Sequence, residues 1–329
     1  MRYAIHWTKA RLTRFEDVAK NIRLFDIAPE GGASPIEPGA HISVALVIDG
    51  QPQARSYSVI EAGAASYKIA VKLCPDGRGG SAAMFRLAAG AQLTISAPHN
   101  NFALEFDRRD YLLLAGGIGV TPLVSMARAL KQAGKPYRFA HVMRSKAEAA
   151  FLNELSAAHG PRYAAFFSRA GAPLDLAGEI GRLAPDGQIY FCGPARMLEA
   201  ARRLWREAGR PSADFRFETF ASGGRYPAEA FTVKIPRLDK EVSVSEHETM
   251  LAALARAGIE IMSDCERGEC GLCAVDVLAC DGAIDHRDVF FSEEERAENS
   301  RLCACVSRAV GGSVSIDTAF RPEAARLGP

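Results

Sequence analysis

The sequence predicts three consecutive domains of different fold class. Residues 1–105 contain short alternating apolar runs separated by Gly, Pro and Asp turns, which is typical of a small antiparallel β-barrel. Residues 106–225 alternate continuous apolar strands with helical segments, which predicts an α/β domain with a parallel sheet. Residues 230–320 combine short strands, one helix and six of the eight cysteines, which indicates a small α+β domain.

The composition is that of an ordinary multidomain globular protein. The chain has 329 residues, of which 48% are hydrophobic and 24% charged, and this length suits two or three domains. The longest apolar runs, such as residues 111–115, are too short to span a bilayer, and the first residues do not read as a signal peptide. We therefore expect a cytoplasmic monomer with reduced cysteines that binds neither membranes nor nucleic acid.

The net charge of +1 hides an asymmetry along the chain. From residue 228 onward there are 19 acidic and 11 basic residues, against 20 acidic and 29 basic residues before it. Drift in each part is the plain explanation. Charge complementarity between an electron donor and its partner is the functional one, and Asp264, Glu266 and Glu269 are then the predicted exposed rim.

Two short motifs in the predicted barrel suggest an anion site. Strands are expected at residues 41–48, 56–60, 67–73 and 92–96, and the sequence Arg-Ser-Tyr-Ser occupies positions 55–58. Residues 78–81 read Arg-Gly-Gly-Ser and precede a predicted helix over 82–87 with Ser81 as its N-cap. A glycine pair at a helix N-terminus offers free N–H groups to a phosphate, and Arg55 adds a charged contact. Each motif alone is more often a plain strand or turn.

The predicted α/β domain opens with a nucleotide-binding pattern. An apolar strand over residues 111–115 runs into Gly116-Gly117-Ile118-Gly119, with Thr121 as the expected N-cap and Pro122 at the first position of a helix to residue 131. Further strands are expected at residues 138–143, 163–167 and 188–191, with a helix at 147–158 between two of them. Cys192-Gly193-Pro194 follows the last of these strands, at the sheet edge where ligands bind.

The predicted third domain begins after a linker. Residues 221–229 are rich in Gly, Ser and Pro, and a strand is expected at 231–236. Ser245 to Glu248 match a capping box that opens a helix to residue 257. The last strand is expected at 313–316, with a loose tail after residue 318.

Between that helix and the last strand lies the most specific pattern in the chain. Cys265, Cys270 and Cys273 have C-x4-C-x2-C spacing, and Cys303 follows after 29 intervening residues. This is the plant-type ligand pattern of a 2Fe–2S cluster, and glycines at positions 268 and 271 suit a loop with positive φ. Structural zinc or a disulfide is the alternative. Cys305 competes for the fourth position, and the spacing favours Cys303.

The order of these motifs resembles the phthalate dioxygenase reductase family over nearly the whole chain. R-x-Y-S, R-G-G-S, G-G-I-G-x-T-P, C-G-P and the cysteine pattern follow one another in the family's order. Reductases of vanillate O-demethylase and carnitine monooxygenase look similar. The segment Asp285-His286-Arg287-Asp288, with the serine and glutamates at 292–295, also resembles the family's sequence before the fourth cysteine.

The resemblance implies an FMN-binding barrel, a nicotinamide domain and a β-grasp-like ferredoxin domain. It implies the reductase component of a Rieske-type oxygenase, in which FMN converts the two-electron hydride of NADH into single electrons for the 2Fe–2S cluster. Two alternatives are a reductase for another acceptor, such as a P450 or a separate ferredoxin, and a non-enzymatic metal-binding protein. Neither the oxygenase nor its substrate follows from the sequence.

The resemblance also implies roles for individual residues. Arg55 and the N–H groups of residues 79–81 hold the FMN phosphate, Tyr57 packs on the flavin, and the Ser58 hydroxyl lies near the hydride-accepting N5 atom. Phe220 covers the ring where nicotinamide enters, and Cys192 borders the nicotinamide. The predicted cofactor-binding residues are Arg55, Ser56, Tyr57, Ser58, Val71, Lys72, Gly79, Gly80, Ser81, Gly116, Gly117, Gly119, Thr121, Pro122, Arg144, Ser168, Arg169, Cys192, Gly193, Pro194 and Phe220, and Ser58, Cys192 and Phe220 among them are the predicted catalytic residues.

The choice between NADH and NADPH depends on one departure from the family pattern. Relatives that use NADH often carry an acid after the third strand of this domain, where this chain has Ser168 and Arg169. Arg144 and Lys146 follow the preceding strand. We expect NADH from the family pattern, with NADPH as the alternative, because basic groups suit a 2′-phosphate. Hydride and electron transfer need no general acid or base, so the seven histidines receive no role.

Overall fold

The computed structural model describes residues 6–48, 50–75, 77–171, 173–220, 226 and 228–318. The chain divides into two compact units, residues 1–220 and 221–329. Most of the predicted linker, residues 221–225 and 227, and the tail from residue 319 lie outside the described residues. The predicted domain boundaries stay predictions.

The first unit begins with a closed antiparallel barrel. Its strands pair in the order β1-β2-β5-β4-β3-β6, and a short helix, α1, lies between β5 and β6. The bounds are β1 Trp7–Ala19, β2 Ile22–Pro29, β3 His41–Ile48, β4 Gln51–Ala62, β5 Tyr67–Lys72, α1 Gly80–Phe85 and β6 Gln92–Ser96. Closure leaves no unpaired edge, and the alternating side chains of Leu12, Phe25, Ile42 and Ile69 fill the interior with no solvent exposure.

A five-stranded parallel sheet completes the first unit. Its order is β11-β10-β7-β8-β9, and every neighbouring pair is parallel. The bounds are β7 Tyr111–Gly116, α2 Val120–Gln132, β8 Tyr137–Met143, α3 Leu152–His159, β9 Tyr163–Phe167, α4 Leu176–Gly181, β10 Gln188–Cys192, α5 Ala195–Glu207 and β11 Phe215–Glu218. The strand order reverses between β7 and β10, and such a switch point is where ligands bind in parallel sheets.

The barrel and the parallel sheet share apolar packing. Ile22, Ile60 and Ala70 of the barrel lie in the same buried cluster as Leu123 and Val124 of α2. The Gly39 N–H donates to the Ser125 hydroxyl at 3.2 Å across this boundary. The end of β4, which follows the Arg-Ser-Tyr-Ser motif, is therefore held against the helix that follows the glycine-rich turn.

The second unit is a mixed α+β fold. One sheet has the order β13-β12-β18-β14-β16, and β15 pairs with β17 in a separate ribbon. The bounds are β12 Phe231–Ile235, β13 Lys240–Val244, α6 Met250–Arg256, β14 Ala274–Cys280, β15 Ala283–Asp285, α7 Glu293–Glu298, β16 Arg301–Cys303, β17 Arg308–Val310 and β18 Ser313–Asp317. Met250 and Leu254 of α6 pack with Val233 and Ile316 in its core. The predicted fold classes are confirmed.

Three predicted helix starts are wrong. At two of them the predicted capping hydroxyl bonds to another partner, and at the third the predicted capping residue lies before the helix. The Ser81 hydroxyl accepts the Cys74 N–H, and α1 begins after Gly79. The Thr121 hydroxyl donates to the Ile118 carbonyl, so α2 begins at residue 120 with Pro122 inside its first turn. Residues 245–248 form a turn, and α6 is capped by Thr249 instead. The complete capping box lies at Ser292 and Glu295.

None of the helices in the described part of the chain combines the length and the apolar character that crossing a membrane requires.

Candidate functional site

The structure brings the two predicted phosphate-binding motifs of the barrel together. Arg55 on β4 donates to the carbonyl of Arg78 at 3.1 Å, and a Cβ atom on Gly80 would lie 2.8–3.0 Å from the Arg55 side chain. Gly79 adopts φ +75°, which an L side chain rarely tolerates. The first bond of α1 joins the Ala83 N–H to the Gly79 carbonyl, so the N–H groups of residues 80–82 remain for a ligand.

Tyr57 and Ser58 form the wall of the barrel beside this motif. Tyr57 packs partly buried against the barrel core, and burial raises the pKa of its hydroxyl. Ser58 is 4% exposed, and its hydroxyl has no hydrogen-bond partner among the residues that the structure describes. A buried hydroxyl without a partner is costly. Its position fits a polar atom of a bound flavin ring.

Not every predicted flavin residue presents its side chain to this site. Val71 is 3% exposed and packs inside the barrel. The Lys72 ammonium pairs with Glu148 at 2.8 Å, which ties the barrel to the segment after β8. The Ser81 hydroxyl is bonded to the backbone of Cys74, as described above, so only its N–H faces the turn.

The glycine-rich turn after β7 meets the turn after β10 backbone to backbone. A Cβ atom on Gly119 would lie 2.2 Å from the Cys192 carbonyl oxygen, and one on Gly116 would lie 2.4 Å from the Pro194 ring. A Cβ atom on Gly193 would lie 3.0 Å from Gly116. Thr121 and Pro122, at the start of α2, are buried. Five of the six predicted turn residues, all except Gly117, therefore meet in one platform at the switch point of the sheet.

His141, which received no role from the sequence, supports this platform. It is completely buried within β8, with Nε2 2.9 Å from the Gly117 carbonyl and Nδ1 3.0 Å from the Tyr163 hydroxyl. Burial lowers the pKa of His141 to about 4, so the ring is neutral near pH 7. A neutral ring has one donor and one acceptor. A carbonyl can only accept, so Nε2–H donates to the Gly117 carbonyl. Nδ1 then accepts from the Tyr163 hydroxyl.

Two predicted catalytic residues, Cys192 and Phe220, share a buried cluster with β4, the strand that carries Ser58. Cys192 is fully buried, and Phe220 packs partly buried against the cluster that contains Cys192 and Ile60. Ile60 lies two residues after Ser58 on β4. Glu218, which sequence reasoning missed, is 1% exposed and lies directly opposite Cys192 in the parallel register. Only the strand pairing identifies it, because nothing in its local sequence marks it.

The residues predicted to choose the nucleotide form a basic corner. Arg144, Ser168 and Arg169 are exposed, and the Arg169 N–H donates to the Arg144 carbonyl at 3.3 Å. Glu148 lies among them. The hydrogen bond from Lys72 lowers the pKa of Glu148 most, and the charges of Arg144 and Arg169 lower it further. Sequence reasoning missed this acid because its basic neighbours come from other strands.

In the second unit, the cysteine loop folds around the sulfur of Cys265. The N–H groups of Arg267, Glu269 and Cys270 each donate to Cys265 Sγ at 3.4 Å. Gly268 and Gly271 adopt φ +76° and +73°, which confirms the expected positive φ at both positions. A convergent set of backbone donors on one sulfur stabilises a thiolate ligand and tunes a cluster.

The other cysteines meet beside this loop. Cys273, Cys303 and Cys305 are at most 2% exposed and share one cluster with Phe291. Hydrogen bonds from the Cys303 and Cys305 thiols lower the pKa of Cys273. The alternate residues 302 and 304 point into the domain core. Both candidates for the fourth ligand therefore face the loop.

The surroundings of the two candidates differ. Cys305 accepts a hydrogen bond from the Gly268 N–H and faces Cys265 as well as Cys273, whereas Cys303 faces Cys273 and the Asp288 carboxylate. Within the described ranges, no three His, Cys, Asp or Glu side chains surround one point as the ligands of a single ion would. Three backbone N–H groups converge on the Cys265 sulfur beside a cluster of buried cysteines, and thiolates supported by backbone donors are the ligands that a 2Fe–2S cluster takes.

The predicted acidic rim is partly correct. Asp264 and Glu266 are exposed. Glu269 is not, because its side chain is only 15% exposed and pairs with Arg267 at 3.6 Å. Leu272 within the loop and Phe290 beside it are exposed apolar residues.

Known proteins share this arrangement. A family profile described as an oxidoreductase FAD-binding domain matches residues 9–104, and one described as a 2Fe-2S iron-sulfur cluster binding domain matches residues 233–310. The phenoxybenzoate dioxygenase subunit beta of Ectopseudomonas oleovorans is 37% identical, with 91% of this chain and 93% of that protein covered. The chain belongs to the phthalate dioxygenase reductase family.

Two further members show how far this similarity extends. The vanillate O-demethylase oxidoreductase of Acinetobacter baylyi is 30% identical, with 93% of this chain and 97% of that protein covered. The solved structure of phthalate dioxygenase reductase, described as a modular structure for electron transfer from pyridine nucleotides to a 2Fe–2S centre, superposes with a TM-score of 0.78 at 28% identity and covers 94% of this chain and 98% of its own.

Membership in this family decides between the alternatives left open by the sequence. The chain is an oxidoreductase with a flavin-binding domain and a 2Fe–2S domain. None of the eight cysteines forms a disulfide, so the disulfide alternative is wrong. Structural zinc and a non-enzymatic metal-binding role give way to the cluster-binding assignment.

Proposed function

We propose that this chain is the reductase component of a Rieske-type oxygenase. It takes hydride from NADH onto FMN and passes single electrons through its 2Fe–2S cluster to the oxygenase. One observation carries the proposal: a single chain holds both a barrel wall with an unpartnered Ser58 hydroxyl next to a nucleotide platform and a loop of clustered cysteines. These are the sites that a two-electron to one-electron converter needs.

The residues of the first unit bind and orient the reactants. A bound flavin supplies the two-electron to one-electron conversion, since it is stable in three redox states. Arg55 and the N–H groups of residues 80–82 hold its phosphate by charge-assisted hydrogen bonds. The Ser58 hydroxyl donates to the edge of its ring, and Phe220 covers the face that nicotinamide must reach. Cys192 shapes the nicotinamide pocket by its buried side chain.

The flavin is proposed to be FMN, although the matching family profile is described by FAD. The Arg55 guanidinium lies against the turn at Gly79 and Gly80, and this one group of donors suits one terminal phosphate. Heat release of the flavin followed by chromatography tests this proposal. Recovery of FAD in place of FMN would contradict it.

The fourth ligand of the cluster is proposed to be Cys305, with Cys303 as the alternative. The spacing of the sequence favours Cys303. The contacts support Cys305, because its sulfur faces both the Cys265 side of the loop and the Gly268 N–H. The sulfur of Cys303 faces the Asp288 carboxylate, whose negative charge disfavours a thiolate.

The preferred nucleotide is proposed to be NADH. Glu148 lies among the basic residues of the corner and offsets their attraction for a 2′-phosphate. NADPH is the alternative, supported by the exposed Arg144 and Arg169. Steady-state kinetics with both nucleotides decides between them.

The electron acceptor is proposed to be a Rieske-type oxygenase. The proposal is drawn from the relatives, because one is a dioxygenase subunit and another is a vanillate O-demethylase oxidoreductase. A reducing, cytoplasmic setting is proposed as well, because no two of the eight cysteines are joined in a disulfide.

The test of the whole proposal is anaerobic stopped-flow spectroscopy of the purified protein. On mixing with NADH, the flavin band should bleach first and the iron–sulfur band afterwards. Addition of a Rieske oxygenase should then reoxidise the cluster. A colourless protein, or a reduced cluster that reacts with a P450 or a free ferredoxin and with no Rieske oxygenase, would overturn it. Ser58→Ala, which removes only the unpartnered hydroxyl, should slow the first phase and leave the later ones unchanged.

A further inference from the structure

The segment Asp285-His286-Arg287-Asp288 was singled out in the sequence but has no part in the proposed function so far. Its last residue is the most enclosed. Asp288 is 1% exposed, and burying a carboxylate is costly unless it is well hydrogen-bonded. The structure gives Asp288 such partners, and they lie on different sides of the cysteine cluster.

One side of Asp288 contacts the turn that follows the two candidate fourth ligands. The Ser307 hydroxyl donates to Asp288 Oδ1 at 3.2 Å. The Ser307 N–H in turn donates to the Cys303 carbonyl at 3.0 Å. Two hydrogen bonds through Ser307 therefore link the Asp288 carboxylate to the backbone that carries residues 303–305.

The other side of Asp288 contacts the cysteine loop and its cover. A Cβ atom on Gly268 would lie 2.8 Å from Asp288 Cα, and the next residue donates its N–H to the Gly268 carbonyl at 2.9 Å. The Phe291 N–H donates to Asp288 Oδ2 at 3.0 Å, and the Phe291 ring packs on Cys273 and its neighbours. The carboxylate thus joins the loop, the aromatic cover and the last cysteine turn.

We propose that Asp288 is a positioning residue for the iron–sulfur cluster, which holds the turn of the fourth cysteine against the cysteine loop and places a buried negative charge beside the cluster. This inference rests on the proposed 2Fe–2S function. A nearby negative charge disfavours the addition of an electron, and cluster potentials depend on local charge and hydrogen bonding. The charge of Asp288 therefore makes the cluster a stronger reductant. Its hydrogen bonds slow the loss of the cluster from the protein.

The test uses the full chain with its flavin and cluster. Asp288→Asn keeps the shape and removes the charge. Asp281→Asn is the matched control, because Asp281 also accepts a serine hydroxyl, that of Ser313 at 2.8 Å, but is exposed in the connection between β14 and β15. Potentiometric titration followed by EPR gives the midpoint potential, and transfer of iron to a chelator gives the rate of cluster loss.

The Asp288→Asn protein should have a more positive midpoint potential than the wild type and should lose iron about tenfold faster, as expected for a weakened hydrogen bond to a charged group. The Asp281→Asn protein should match the wild type in both measurements. An unchanged potential in the Asp288→Asn protein would overturn the proposal. Unchanged reduction of the flavin by NADH in each variant shows that the first unit is intact.

A second variant covers the case in which the Asp288→Asn protein assembles no cluster. Ser307→Ala keeps the carboxylate and removes one donor, so it should retain the cluster and lose iron faster than the wild type. Loss of iron at the wild-type rate would overturn the proposal. A wild-type protein that itself binds no 2Fe–2S cluster would instead refute the proposed function, so the two failures are distinguishable.

Discussion

Acidification should destabilise the first unit through His141. The ring is buried and neutral, and burial lowers its pKa from 6.5 to about 4. In the unfolded chain the same ring takes up a proton near pH 6.5. Between these two values the unfolded state binds more protons than the folded state, so stability falls as the pH falls through this interval.

The size of the effect follows from the two pKa values. Each pH unit between them contributes about 1.4 kcal/mol, so the interval from 6.5 to 4 corresponds to about 3 kcal/mol. That is a large part of the 5–15 kcal/mol by which a typical domain is stable. The loss begins at about pH 6.5 and is complete near pH 4.

Urea unfolding of the wild type and of His141→Gln measures this contribution. Both tryptophans, Trp7 and Trp205, lie in the first unit, so tryptophan fluorescence reports on that unit. At pH 7 the variant should be less stable, because it loses the bonds to Gly117 and Tyr163. Between pH 7 and pH 4.5 the gap should narrow by about 2.5 kcal/mol.

Tyr163→Phe is the control for this experiment. It removes the hydroxyl that donates to Nδ1 but keeps the imidazole, so its stability should fall with pH as steeply as that of the wild type. The reasoning is refuted if the stability of His141→Gln falls in parallel with that of the wild type over the whole range.

Three further predictions concern the cofactors and the partner. Cys305→Ser should abolish the 2Fe–2S EPR signal and leave flavin reduction by NADH intact, whereas Cys303→Ser should keep the signal; the opposite pattern would restore the assignment made from the spacing. Arg169→Asp should lower kcat/KM for NADPH by about 10- to 100-fold, the loss of one charge-assisted contact, and change that for NADH much less; equal effects would show that this residue does not contact the 2′-position. Rising salt should slow electron delivery to the oxygenase, because the Debye length that screens the exposed Asp264 and Glu266 falls from about 10 Å at 0.1 M to about 3 Å at 1 M, whereas flavin reduction should change little. Stopped-flow measurement of both steps checks this prediction. Electron delivery that is insensitive to salt would refute the hypothesis of electrostatic steering.

The sequence predicted three strands with their observed bounds. These are β3, β6 and β9, and in β3 and β6 buried side chains alternate with exposed ones, which is the period that indicates a strand. The hairpin of β1 and β2 was not predicted as strands. Its first strand carries charged residues at many exposed positions, and its pairing partners are fixed by barrel closure rather than by local pattern.

The site divides in the same way. The glycines of the two platform turns and of the cysteine loop were predictable, since close backbone approach and positive φ leave little choice of residue. His141, Glu148 and Glu218 were not, because each acquires its role from residues on another strand. Cys303 and Cys305 are two residues apart, and both side chains lie in the cysteine cluster. Spacing along the chain therefore cannot decide which of them is the fourth ligand.

The close contact between the two turns of the nucleotide platform limits how this enzyme can change during evolution. A single methyl group on Gly119 would overlap the Cys192 carbonyl, and one on Gly116 would overlap the Pro194 ring. Neither turn can therefore accept a side chain unless the other moves at the same time, which requires two coordinated mutations. New nucleotide preferences are more accessible at the exposed corner of Ser168 and Arg169, where single substitutions meet solvent. The geometry therefore constrains the residues of the platform more tightly than those of the corner.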